Sequence, residues 1–545
     1  MKETFPIMGK TYKGLEEVLA KELKNLGAEE IEVGNRAVSF VGNMEMLYKA
    51  NLWSRTATRF LVPIVTFEAK DAEELYEKAK MIDWTEFLTS DKTFTIDSTV
   101  YSETFTHSKY ATYRIKDAIA DQFTEKEGKR PSVSLTSPDI MINLHIADTT
   151  CTISIDSTGE SLHKRGYRVA QTEAPISEVL AAGMLLTAGW NGETDFIDPM
   201  CGSGTILIEA ALIALNIPPG IFRKEFAFER WSDFDNDLFD QMYNDESQER
   251  EFTHKIYGSD ISKAAIRIAE QNIKSAGVQK YIELQNVAFQ ELELTGDKML
   301  MVTNPPYGQR LHPERILDLY GDFGRMLKQK FTGNDACVIS NDDTNLGSIG
   351  MKPSKKIQMM NGDIDCLYCQ YEVFSGTRKD FVLDKIEKGE YHKEEKKEEF
   401  EKTERGHFKF EKDIRKFDDR KGKFSREKRE HRGKRFYSDK KGDTNYGEKS
   451  EYKDRKPFKR ERQSEDRKPF GRRNDRSYGS KDDRNDKRPF RKRWDNDENK
   501  KEHGDRKFGS KKPFRGKDDI GGRKFDDRKS LRNGGRRKSD NDIED

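Results

Sequence analysis

Three short segments bring together residue types that can hold a nucleoside-like ligand and act on a flat one. The first is Phe196-Ile197-Asp198-Pro199-Met200-Cys201-Gly202-Ser203-Gly204-Thr205, leading into the apolar stretch Ile206 to Ala211. A strand that ends in a small, Gly-rich turn lets backbone amides approach a ligand at the carboxyl edge of a parallel sheet. The turn reads G-x-G-T, with neither the lysine of a phosphate-binding loop nor the third glycine of a dinucleotide fingerprint, so a structural tight turn is the bland alternative. The second is Tyr257-Gly258-Ser259-Asp260-Ile261-Ser262. An acid at that strand end is placed to accept both hydroxyls of a ribose, or simply to cap the helix that follows.

The third segment, Val302-Thr303-Asn304-Pro305-Pro306-Tyr307-Gly308-Gln309-Arg310, follows the strand-like run Met299 to Thr303. Two prolines end a strand and stiffen the turn, so the Asn304 amide and the Tyr307 ring are expected above the sheet edge. The Asn304 side-chain oxygen and the Pro305 carbonyl can each accept a hydrogen from an exocyclic amino group, leaving the nitrogen lone pair free. Tyr307 can stack on the base.

The elements that must position these segments are those of an α/β fold. From about Pro175 to Phe374 helices alternate with short apolar runs at Thr194 to Ile197, Lys255 to Gly258, Tyr281 to Leu284, Met299 to Thr303 and Ala336 to Ser340, the pattern of βαβ units and a parallel sheet. Residues 216–250, with Trp231, Phe234, Phe239 and Tyr243, interrupt that rhythm and are expected as an insertion. From Met1 to about Asp156 helical and alternating segments recur twice, suggesting two small α+β units.

Net charge is +1, but this is a cancellation: residues 1–380 carry 42 Lys+Arg and 58 Asp+Glu, a balance of −16, against 57 and 40, or +17, in residues 381–545. The second stretch lacks periodic apolar residues and is expected to stay disordered, because it cannot bury enough surface to offset ordering entropy. Its triads Lys456-Pro457-Phe458, Lys468-Pro469-Phe470, Arg488-Pro489-Phe490 and Lys512-Pro513-Phe514 recur irregularly, as low complexity and not a solenoid. Lys and Arg interleaved with Phe and Tyr suit loose, salt-dependent contact with single-stranded nucleic acid. No long apolar run or signal-like N-terminus is present, so a cytoplasmic protein without a membrane anchor is expected. Five scattered cysteines exclude a disulfide framework, and the lone Cys366-x-x-Cys369 lacks a second ligand pair for zinc.

With these segments in hand, the chain resembles the class I S-adenosylmethionine-dependent amino methyltransferases. Asp198-Pro199-Met200-Cys201-Gly202-Ser203-Gly204-Thr205 looks like their cofactor loop, Asp260 with Ile261 like their ribose-binding site, and Asn304-Pro305-Pro306-Tyr307 like their catalytic motif. Leu162-His163-Lys164-Arg165-Gly166-Tyr167-Arg168, Ala174-Pro175-Ile176-Ser177-Glu178 and Pro218-Pro219-Gly220-Ile221-Phe222-Arg223 resemble the bacterial branch that carries a THUMP RNA-binding domain. The resemblance implies a ferredoxin-like unit at 1–60, THUMP at 61–157, a Rossmann-like methyltransferase domain at 158–380 and a disordered charged tail at 381–545. It also implies S-adenosyl-L-methionine as cofactor and RNA as partner, with guanine N2 of 23S ribosomal RNA, free or in a pre-ribosomal particle, as target. One position departs from the pattern. Ala288 sits where an acid is expected to hold the cofactor adenine, leaving Asn286 or a backbone carbonyl for that contact.

The expected reaction is in-line methyl transfer to an unpaired or flipped-out base, with no metal required, since positioning can supply roughly 7 to 11 kcal/mol of the barrier. Adenine N6, in RNA or in DNA, or a transfer-RNA guanine is the alternative target. A non-catalytic RNA-binding or ribosome-assembly factor on the same fold is the alternative class.

Overall fold

The computed structural model describes residues 4–173, 175–293, 298–307, 313–376 and 378–387. The charged tail from residue 388 on, with its basic-Pro-Phe triads, lies outside the described residues, as do Gly308, Gln309 and Arg310.

The N-terminal part runs β1 (Phe5–Thr11), α1 (Glu16–Leu26), β2 (Glu29–Gly34), β3 (Ala37–Gly42), α2 (Met44–Trp53) and β4 (Ala57–Glu68). It continues through α3 (Ala72–Lys80), β5 (Thr93–Tyr101), α4 (Ser108–Glu127), β6 (Ser132–Val133), β7 (Ile140–Ala147) and β8 (Thr150–Asp156). Leu19 and Leu23, four residues apart on α1, are fully buried and face the sheet, while Leu15, just before the helix, is buried instead in the core of the second domain. The two expected α+β units share one eight-stranded sheet, ordered β2-β3-β1-β4-β8-β7-β5-β6. The expected boundary at residue 60 falls inside β4. That strand pairs with β1 through Ala57 to Leu61 and with β8 through Leu61 to Glu68, so its length joins the units edge to edge.

The domain of the second sheet runs α5 (Glu178–Thr187), β9 (Asp195–Asp198), α6 (Thr205–Ala214), α7 (Asn236–Tyr243), β10 (Ile256–Ser259), α8 (Lys263–Ser275) and β11 (Ile282–Gln285). Then follow β12 (Met299–Thr303), α9 (Pro313–Lys330), β13 (Asp335–Ser340), α10 (Asp343–Ser348), β14 (Lys355–Asn361), β15 (Ile364–Glu372) and α11 (Arg378–Glu387). Its order is β11-β10-β9-β12-β13-β15-β14. β9 to β13 are parallel, while β15 runs antiparallel between β13 and β14. Helix α11 extends past residue 380, where the tail was expected to begin, and Phe381 stacks on Phe374 with ring centroids 4.3 Å apart. Cys366 and Cys369 are buried three residues apart on β15, so they enter opposite apolar clusters and cannot converge on one ion. Among the described residues no helix is long and apolar enough to cross a membrane.

The N-terminal part packs directly on the second sheet's domain. Gly14, at φ +88°, passes so close to β14 that a Cβ there would lie 2.1 Å from the Gln358 carbonyl oxygen. The insertion after α6 adds a second contact, where Phe228 stacks on Tyr48 of α2 at 4.5 Å. Between them lies a buried polar knot. Arg165 pairs with Glu209 at 3.3 Å and donates to the Arg55 carbonyl at 2.6 Å, while the Tyr167 hydroxyl donates to Glu209 at 2.9 Å.

Candidate cofactor and substrate site

Strand order reverses between β9 and its neighbour β12, which opens a crevice beyond their carboxyl ends. The three sequence segments meet there, since Asp198 ends β9, Asp260 follows β10 and Asn304 follows β12. The crevice holds a cavity of about 420 Å³, within the usual range for a small-molecule site. Asp198, Pro199, Cys201, Gly202, Thr205, Asp260 and Ile261 line it, with Asn304 and Pro306 at the other side. Gly204, Pro305 and Tyr307 are not among its lining residues.

The glycines of the first loop have separate tasks. Gly202 sits at φ +53°, and a Cβ there would meet no protein atom, so it leaves room on the cavity side. Gly204, at φ +79°, caps α6, and a Cβ on it would come within 3.1 Å of Ala269 on α8. The loop is tied to its neighbours by the Cys201 amide, which donates to the Ser259 carbonyl at 2.9 Å, and by the Gly202 amide, which donates to the Asp260 carboxylate at 3.0 Å. The other Asp260 oxygen accepts from the Ser262 amide at 2.8 Å. Each oxygen keeps lone-pair capacity toward the cavity, which fits a carboxylate that receives two ribose hydroxyls. Ile261 is 79% exposed and supplies an apolar wall beside it.

Asp198 is buried and accepts from the Thr303 hydroxyl at 2.7 Å and the Met200 amide at 3.2 Å. Burial pushes its carboxyl up to about 7, against the pull of those two hydrogen bonds, and the nearby Asp260 charge adds to the rise. A cationic ligand in the cavity would favour the ionised form and so draw out a counter-charge. Burial also pushes the Cys201 thiol well up, so it stays protonated.

On the diproline turn, Asn304 Oδ1 is buried and has no hydrogen-bond partner among the described residues. Such an orphan acceptor, on a residue that lines the cavity, marks the place of a ligand donor. Tyr307 differs from the expectation. Its ring is only 4% exposed and lies in the apolar core, with its hydroxyl accepting from Asn361 Nδ2 at 2.7 Å. The large apolar ring is better buried than solvated, and the Asn361 amide satisfies its one polar atom.

Several residues at the site were missed from sequence. Arg168, in the linker, donates to Glu178 at 2.7 Å, Ser203 at 3.1 Å, Thr205 at 2.9 Å and the Ile176 carbonyl at 3.1 Å, so its fork braces the glycine loop from behind. Asn272 adds a second brace through the Ser203 carbonyl at 3.0 Å. Thr172, Pro175 and Ile176 form the cavity lip, and Phe289, Gln290 and Leu319 complete the wall. Asn286 is not at the cavity: its side-chain amide is spent on the carbonyls of Asp260 and Ile261, at 2.9 and 3.1 Å. Ala288, Phe289 and Gln290 line that side instead.

Three family profiles match the chain: an RlmL ferredoxin-like domain over residues 7–61, a THUMP domain over 69–156, and an RMKL-like methyltransferase domain over 165–370. The candidate RNA methyltransferase slr0064 of Synechocystis sp. is 38% identical, over 68% of this chain and 97% of its own. Ribosomal RNA large subunit methyltransferase K/L of Syntrophotalea carbinolica is 36% identical over 66% of this chain, which spans only 52% of that longer relative. Among solved structures, SMU.472 complexed with SAH is 30% identical, with a TM-score of 0.63, covering 69% of this chain and all of that one. SAH is the demethylated product of S-adenosylmethionine, and the cavity beside Asp260 and Gly202 suits that nucleoside. The chain belongs to the THUMP-bearing, S-adenosylmethionine-dependent RNA methyltransferases that share the RMKL-like domain.

Proposed function

We propose that this enzyme methylates the exocyclic amino group of a base in ribosomal RNA, with guanine N2 of 23S ribosomal RNA as the target. The observation that carries this reading is the orphan Asn304 oxygen, buried without a partner where the cofactor cavity meets the diproline turn. An amino group is the donor that satisfies it.

S-adenosylmethionine supplies a methyl group on a positively charged sulfur. The chain's residues do the rest by position and charge. Asp260 would receive the ribose, with Gly202 and Ile261 beside it, and Asp198 would serve the cationic end; all four line the cavity. Asn304 and the Pro305 carbonyl draw the two amino hydrogens, which turns the nitrogen lone pair toward the methyl donor. The surplus proton leaves to solvent. Stacking by Tyr307 requires its ring to leave the seat it occupies beside Asn361. The same reading divides the chain at residues 60, 157 and 380; the profile matches over 7–61 and 69–156 support the first two divisions, while helix α11 carries the third past residue 380.

The test is nucleoside mass spectrometry of ribosomal RNA from a deletion strain, with primer extension to map the site. Loss of one N2-methylguanosine in 23S RNA, restored by the wild-type gene and not by Asn304→Ala, is the expected result. Loss of N6-methyladenosine would move the target to adenine. An unchanged nucleoside profile would defeat the enzyme reading.

A further inference from the structure

A second cavity, of about 1030 Å³, lies beside the first. The two share Pro175 and Ile176 as a common wall. It extends from Ser137 and Pro138 of the THUMP part past the linker to the Asn361-Gly362 turn between β14 and β15. Seven Lys or Arg residues line it against three Glu; five of the seven are held in ion pairs, and among the described residues Arg223 and Lys224 are left to attract a polyanion. Gly362, at φ +63°, takes the first central position of a tight hairpin turn, and residues 362–365 are exposed.

Asn361 therefore belongs to two places at once. It lines the groove, and its amide holds the hydroxyl of Tyr307, the last residue of the diproline motif. Cys366 Sγ lies 3.9 Å from the same hydroxyl. Tyr307 is buried and does not reach the cofactor cavity, so a ring needed at the base has to be released.

We infer that Asn361 is a positioning residue that keeps Tyr307 seated while the groove is empty, and that an RNA strand engaging the Asn361-Gly362 turn frees the ring for the target base. The inference rests on the RNA substrate reading above. The exchange keeps the Asn361 amide satisfied: 2′-hydroxyl and base oxygens can accept from it in a neutral hydrogen bond, and a phosphate oxygen in a charge-assisted one. Groove occupancy then assembles the base-binding surface, and RNA that leaves the groove empty meets an incomplete site.

Two measurements on the full chain test this. The first is nitration of Tyr307 by tetranitromethane, mapped by mass spectrometry without RNA. Asn361→Ala is expected to label on the order of fivefold faster than wild type, the effect of losing one neutral hydrogen bond. Equal labelling overturns the seating role. Calorimetry with S-adenosylmethionine serves as the control for folding, since Asn361 lies outside the cofactor cavity.

The second measurement compares kcat/KM for a long RNA, which fills the groove, with that for a minimal hairpin, which does not. Wild type is expected to prefer the long RNA, with the preference narrowed at least severalfold in Asn361→Ala. Tyr307→Phe is expected to narrow it similarly, with no further change in the double variant. An unchanged preference in Asn361→Ala, or effects that multiply in the double variant, overturns the coupling. If wild type binds cofactor but methylates neither RNA, the substrate assignment fails, and the nitration rates still decide whether Asn361 seats Tyr307.

Discussion

Thr303 and Asp198 end neighbouring parallel strands, and the Thr303 hydroxyl donates to the Asp198 carboxyl at 2.7 Å inside a buried site. The bond moderates the burial that pushes Asp198 up to about 7 without cancelling it. The sign follows directly. The folded protein keeps a proton between the ordinary 3.8 and about 7 that the unfolded chain has released, so this group's contribution to stability falls as pH rises across that window. A cationic ligand favours the ionised form, so its binding expels the proton. The S-adenosylmethionine dissociation constant should fall as pH rises toward about 7 and level off above it. Calorimetry in buffers of different ionisation enthalpy should show proton release, and Asp198→Asn should flatten the dependence. A pH-independent wild type would exclude Asp198 as the counter-charge.

Asn304→Ala tests the amino-group acceptor. Removing the oxygen frees the amino group to rotate, and misplacing a reacting group by about 1 Å is enough to cost on the order of 100-fold in rate. Single-turnover methylation of RNA should fall by about that factor. Cofactor affinity by calorimetry should stay within about twofold of wild type, because Asn304 acts on the base side of the cavity. A mutant that methylates at the wild-type rate would remove Asn304 from the reaction.

Arg168→Ala reaches the cofactor through the loop it braces. Glu178, itself 4% exposed, loses its ion-pair partner, and Ser203 and Thr205 lose a donor. Breaking a buried pair from one side costs about 3 to 5 kcal/mol, discounted here because Arg168 keeps some exposure. The expected result is a lower melting temperature and a cofactor dissociation constant raised severalfold or more. Arg168→Lys should rescue part of the stability and little of the affinity, because an ammonium cannot reproduce the planar fork. Equal cofactor affinity in Arg168→Ala would confine the residue to structure.

The contrast between Asn304 and Arg168 explains what could be read in the chain and what could not. β9, β10, β11, β12 and β13 were legible within a residue because buried parallel strands are short, bounded apolar runs. β14 left little signal, since Lys355, Lys356 and Gln358 are exposed on an edge strand. Asp198, Asp260 and Asn304 stand at strand ends, where topology alone aims a side chain into the crevice. Arg168 instead meets Glu178, Ser203 and Thr205, partners 10 to 37 residues away whose approach depends on how the linker folds back. Tyr307 shows the same limit. A diproline turn predicts that the ring projects, but the seat that captures it is made by Asn361, 54 residues later.

Gly14→Val should weaken the contact between the N-terminal part and β14. Its Cβ would lie 2.1 Å from the Gln358 carbonyl, and a β-branched residue at φ +88° is strained even without that clash. A loss of about 1 to 3 kcal/mol is expected in denaturant unfolding. Where Gly27, at φ +97°, meets no atom within 4 Å, Gly27→Ala tests strain alone and should cost less. Equal losses at the two sites would show that the contact with β14 contributes nothing.

The charged tail completes the set. Residues 381–545 carry 57 Lys+Arg and 40 Asp+Glu, an excess of 17 positive charges spread over 165 residues. So diluted an excess gives loose attraction to phosphates, strongest at low salt, where counterion release is most favourable. Deleting residues 388–545 should raise KM for long RNA and flatten the dependence of affinity on salt, while kcat at saturating RNA and cofactor affinity hold. The reason is spatial: among the described residues the cofactor cavity is lined entirely by positions 172 to 319, so nothing in it is removed. RNA affinity that is unchanged by the deletion at low salt would show that the tail's acids neutralise its own bases before RNA can compete for them.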